Sequence, residues 1–240
     1  MANGRTIWEI LTGRNKRNMT PLELQYHNPL ETKVGQVITF EHEVELNGVN
    51  FVIENIAVYE TNVNKKRFYH TDYCLKGSTS EAESPICLRL RLLKNEEDEF
   101  GHTFQILHMY DQIGNEGVAK FLAYVTQNGD HNPHWDNEGE VTFKIHYGDE
   151  GEPLKEPLRY WRVEEATDPY KARQTILIDD EIDDNELDHR TIQYWDFSRV
   201  ATSQDGTSVT ELLWVELDEK TMSVSLFRGS EILSNQVIVC

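Results

Sequence analysis

His131 and His134 stand three residues apart in this 240-residue chain, with Asp130 and Asp136 on either side, in the stretch Gln127–Gly139. A His-x-x-His pair flanked by carboxylates can offer two imidazoles and an oxygen ligand to zinc or another divalent ion. His131, His134 and Asp136 are therefore the candidate metal ligands, and a metal-dependent hydrolase is the catalytic alternative they support. The His-Glu-x-x-His pattern of zincins is missing, as is any Cys-x-x-Cys, and no cofactor beyond that ion is implied.

A second cluster is acidic, running through Asp179, Asp180, Glu181, Asp183, Asp184, Glu186 and Asp188. Taken as a calcium loop starting at Asp179, it puts Asp184 where the loop needs glycine and Arg190 where it needs a bidentate glutamate, so it is not an EF-hand. Its concentrated charge suits electrostatic steering of a basic partner, or of another copy of the protein. Nucleophilic chemistry finds little material. There is no Gly-x-Ser-x-Gly, no Walker motif and no glycine-rich dinucleotide fingerprint. Cys74 and Cys87 fall in strand-like segments, where a thiol is usually a small buried hydrophobe.

The third group is aromatic. Tyr160-Trp161 and Tyr194-Trp195 are adjacent pairs edged by Arg159, Arg162 and Arg199. Neighbours on a strand point to opposite faces, so one member of each pair is expected outward or beneath a second unit. Trp, Tyr and Arg are the residues that dominate protein interfaces. Together with Trp8 and the acidic Asp179, Asp180, Asp183 and Asp184, these four aromatics form the candidate binding surface for a protein partner or for self-association.

The elements that must position these residues are strands. Leu88, Leu90 and Leu92 alternate with Arg89 and Arg91, the period-2 pattern of a half-buried strand. In the segment Arg67–Gly77, Phe68, His70 and Asp72 share one face while Tyr69, Thr71 and Tyr73 share the other. Asn47-Gly48 is a tight-turn signal between two β-prone runs, and Pro153 and Pro157 bracket an expected turn. About eleven such short segments follow one another, separated by turn residues, as in small sandwiches or barrels. Gly117–Tyr124 reads as a short helix, and so does the stripe Ile7, Trp8, Ile10 and Leu11.

The two halves echo each other. Asp72 to Leu88 spans 16 residues and Asp196 to Leu213 spans 17, each leading from an aromatic-Asp segment through a polar loop to an alternating strand. The expected fold is therefore mainly β. It comprises two small antiparallel β-barrel or sandwich-like units, suggestive of an internal duplication, with a short N-terminal helix. The expected organisation is an arm at 1–33, a first β domain at 34–126, a linker or long surface loop at 127–139, and a second β domain at 140–240 with an acidic insertion at 179–188.

Composition narrows the function. Lys plus Arg number 23 against 42 Asp plus Glu, a formal net charge of -19, which disfavours sequence-independent binding to nucleic acid. No stretch approaches the ~20 apolar residues of a membrane span. The start MANGRTIWEI lacks an apolar secretory core, and the three cysteines read as free thiols of a reducing compartment, so a cytoplasmic location is expected. The leading expectation is a soluble, non-catalytic β protein acting through protein–protein contacts. The alternatives are the hydrolase at His131 and His134 and a β-barrel that encloses a ligand.

Overall fold

The computed structural model describes residues 27–41, 46, 48–63, 66–77, 86–94, 102–114, 117–118, 121, 142–148, 152–162, 169–178, 188–202 and 206–240. Twelve strands are described: β1 (Val37–Phe40), β2 (Phe51–Val63), β3 (Lys66–Gly77), β4 (Ile86–Lys94), β5 (His102–Ile113), β6 (Thr142–Tyr147), β7 (Pro153–Arg162), β8 (Tyr170–Leu177), β9 (Asp188–Thr202), β10 (Ser208–Asp218), β11 (Ser223–Ile232) and β12 (Val237–Val239). Eight of them close on themselves in the order β2-β3-β4-β5-β11-β10-β9-β8, with β8 pairing back to β2. Every neighbouring pair in this ring is antiparallel.

Two long strands change neighbours along their length, and this attaches the remaining four strands. β2 pairs with β1 through Val52 and Phe51, then with β8 from Ile56 to Thr61, and β12 extends the sheet beyond β1. β9 pairs with β8 up to Tyr194, then with β7 at Phe197 and Ser198, and β6 continues beyond β7.

This closure corrects the expectation of two small β units, each with its own sheet. β5 pairs with β11 from Phe104 to Ile113, and β2 pairs with β8, so strands from both sides of residues 127–139 make one ring. Two separate units would each satisfy their edges within themselves. Here the edges of each half are satisfied by the other. The expected short helix around Trp8 lies outside the described residues. Among those described, no helix reaches seven residues, and none is long and apolar enough to cross a membrane. The expected turn between Pro153 and Pro157 is instead part of β7. Pro153 opens that strand, and Pro157 falls where its register with β6 shifts, two places that tolerate a residue without an N–H.

The wall is buried on both faces. Outside, Leu88, Leu90 and Leu92 of β4 join Tyr73, Leu75, Ile56 and Val58 in a cluster packed with Ile38 and Phe40 of β1. Residues beside β1 also cover it: Tyr73 donates its hydroxyl to Asn28 Oδ1 at 2.6 Å and accepts from the Leu30 amide at 3.2 Å. A second outer cluster gathers Trp195, Phe197, Leu213 and Val215 beneath Phe143, Ile145 and Tyr160 of the β6–β7 hairpin, together with Val118 and Phe121. With both outer faces so covered, the alternate positions of the same strands are left to fill the barrel.

Candidate ligand site in the barrel interior

Those alternate positions carry charge. On β4 the residues between the leucines are Arg89 and Arg91, and on β3 the inward face is His70 and Asp72. In register Asp72 lies opposite Arg91, and the pair forms a two-pronged contact, Arg91 Nε to Asp72 Oδ1 and Nη2 to Oδ2, each at 2.7 Å. This is the planar fork-to-carboxylate match that only arginine can make. Both side chains are fully buried.

Across the barrel, β10 supplies Glu216. Its Oε1 accepts from Arg89 Nη1 at 2.7 Å, Trp214 Nε1 at 2.8 Å and the Tyr59 hydroxyl at 3.0 Å, with Arg91 Nη2 at 3.4 Å. Arg89 Nη1 also reaches Asp72 Oδ2 at 3.2 Å, so the two arginines and two carboxylates form one connected group. Gln174 of β8 donates to the Tyr59 hydroxyl. Planar groups stack through this core: Tyr59 on His70 at 4.3 Å, Tyr194 on Trp214 at 4.2 Å, the Arg91 guanidinium over Trp214 at 3.7 Å and that of Arg89 over Phe227 at 3.8 Å. Such cation–π contacts gain strength when water is excluded.

The electrostatics follow from burial and these partners. Burial alone would raise the Asp72 carboxyl, but the guanidinium of Arg91 outweighs it and holds the group at about 2. Burial pushes His70 down, and the nearby Arg91 charge pushes it further, to about 3, so the imidazole is neutral at physiological pH. Burial raises the Tyr59 hydroxyl well above its ordinary value, so it remains a donor. Within this interior group two polar atoms, Arg91 Nη1 and His70 Nε2, have no hydrogen-bond partner among the described residues; Thr32 Oγ1, Thr142 Oγ1 and Trp195 Nε1 are likewise buried without one elsewhere in the fold.

The residues expected from sequence to form a surface are distributed otherwise. Tyr160 is buried in the outer cluster, its hydroxyl donating to Glu211 Oε2 at 3.0 Å, while its neighbour Trp161 is 40% exposed, as strand alternation requires. Tyr194 and Trp195 are both buried, Tyr194 in the barrel and Trp195 under the β6–β7 hairpin, because β9 has packed layers on both sides. Trp8, Asp179, Asp180, Asp183 and Asp184 lie outside the described residues, as do His131, His134 and Asp136. Among the described residues no three His, Cys, Asp or Glu side chains come together to hold a metal ion. Cys74, Cys87 and Cys240 are unbridged, and burial raises the Cys74 thiol to about 11.

Sequence reasoning overlooked the interior group. Arg89 and Arg91 read as the solvent face of a half-buried strand, yet Arg91 is wholly buried and the side chain of Arg89 is only 16% exposed. The available signal was the pairing of an Arg-x-Arg strand with an Asp on a neighbouring β segment. No protein-family model, no curated protein and no solved structure matches the chain.

Proposed function

We propose that the protein binds a small molecule inside its barrel. The observation that carries this reading is the pair of buried polar atoms, Arg91 Nη1 and His70 Nε2, left without partners beside four ionised side chains. Eight-stranded barrels have interiors just wide enough to be filled by side chains or to hold one small ligand. A purely structural filling gains little from charge. Two buried ion pairs recover their desolvation cost only when every remaining donor and acceptor is satisfied. Groups strongly perturbed by burial and specific charge partners gather where proteins bind or react. A guest that supplies the missing partners accounts for both features.

Native mass spectrometry of the protein equilibrated with a small-molecule extract of its source cells tests this. The expected result is a discrete one-to-one adduct, released on denaturation and weakened in Arg89→Leu, whose side chain bridges the group to solvent. The bare chain mass, with an unchanged unfolding temperature, would overturn the reading.

A second reading, protein–protein contact, is favoured by Trp161 and Val200. They are 40% and 73% exposed and lie on the same sheet face, since Trp161 pairs with Ser198, two residues before Val200. Large exposed aromatics beside apolar neighbours mark contact sites. Trp161→Ala abolishing a stoichiometric partner complex, without loss of stability, would favour it over the barrel site.

A further inference from the structure

Building on the barrel-binding reading above, we infer that the compound held in the interior is small, flat and uncharged, and presents a carbonyl or amide oxygen to Arg91 Nη1. Three observations lead there. The first is charge balance. Arg89 and Arg91 face Asp72 and Glu216, so the interior group is neutral as it stands. His70 stays unprotonated at about 3, held there by burial and by Arg91, and Tyr59 keeps its proton, so neither offers a compensating charge. An anionic or cationic guest would leave one net charge buried, which a low-dielectric site strongly disfavours.

The second is valence. A carboxylate or phosphate is best gripped by the two-pronged edge of a guanidinium. On Arg91 the Nε/Nη2 edge is already closed by Asp72, and Nη2 also faces Glu216. What remains is Nη1 alone, a single-point donor matched to one carbonyl oxygen. His70 Nε2 accepts or donates according to tautomer, so it pairs with a second polar atom of either kind, as an amide provides. The third is shape. The groups around these atoms are planar and stacked on one another, Tyr59 with His70 and Trp214 with Tyr194 and Arg91, and a guest seated among planar groups packs best when it is itself flat.

Benzamide, benzoate and benzylamine share size and shape but differ in charge, and each is titrated into the intact protein. Binding is followed on the Trp214 indole N–H and Arg91 Nε–H resonances. Benzamide is expected to shift both, with benzoate and benzylamine at least tenfold weaker. His70→Phe keeps the ring stack and removes Nε2, and is expected to weaken benzamide about tenfold while the folded spectrum persists. Benzoate or benzylamine binding more tightly than benzamide would overturn the inference and leave barrel binding standing. No shift of either interior resonance by any of the three would overturn barrel binding itself.

Discussion

His70 shows how one residue's surroundings set a property of the whole protein. Its ring is stacked on Tyr59, meets Tyr194 and Trp214 edge-on, and faces the charges of Asp72, Arg91 and Arg89. Buried and next to Arg91, it titrates at about 3, against about 6.5 in an unfolded chain. Between these values the unfolded state binds a proton that the folded state refuses. The contribution of His70 to stability is therefore complete above about pH 6.5 and is lost as pH falls toward about 3, at about 1.4 kcal/mol per pH unit. Asp72 has the same sign but a lower window. Its carboxyl is held at about 2 in the fold, so its share is present above about pH 3.8 and lost below. Urea denaturation of the wild type and His70→Phe at a series of pH values separates the two. The variant is expected to lose the slope between about pH 6.5 and pH 4 and to keep the Asp72 share of the slope below pH 4; parallel curves would show that His70 takes up its proton alike in the folded and unfolded states.

At the scale of elements, the seam between β5 and β11 joins the first half of the chain to the second. Gly229 of β11 pairs with Leu107, and a methyl group on it would overlap the carbonyl oxygen of Ile106 and crowd the Leu107 backbone. Because these are backbone atoms of a ladder, they cannot rotate aside as a side-chain tip would. Gly229→Ala is expected to destabilise the protein by about 2–4 kcal/mol, as strain and lost ladder bonds do. Gly114→Ala, with open space around its Cα, is expected to stay within about 0.5 kcal/mol. Thermal unfolding of both variants measures the contrast, and equal effects would remove the seam's special role. Strand existence was legible in sequence because alternation is local: β3, β9, β10 and β11 fall where β-branched and aromatic residues gather, and β4 where Leu and Arg alternate. Which face turns inward was not. Leu88, Leu90 and Leu92 look like core and are, but of an outer layer, and the face expected in solvent is the barrel interior. Period-2 patterning separates two faces without saying what covers either.

At the scale of the molecule, the ring order explains why the two halves looked like separate units and are not one apiece. Local hairpins β2-β3-β4-β5 and β9-β10-β11 follow one another along the chain, and each run resembles a small sheet when read alone. Closure comes from two pairings that sequence does not announce, β5 with β11 and β2 with β8, because register between distant strands is set by packing rather than by turn residues. Two of the four interior ion pairs cross the same divide: Arg89 and Arg91 come from the first half with Asp72, and Glu216 comes from the second. Alone, the first half would set two arginines against one carboxylate and the second would leave Glu216 without either arginine, so their folding is coupled. Urea unfolding followed by Trp fluorescence and by far-ultraviolet circular dichroism is expected to give one coincident transition. Residues 140–240 expressed alone are expected to remain unfolded, since that fragment would expose Glu216 and Trp214 on an open sheet with two unpaired edges. Two separated transitions, or a folded 140–240 fragment, would mean that the charges shared across the barrel do not hold its halves together.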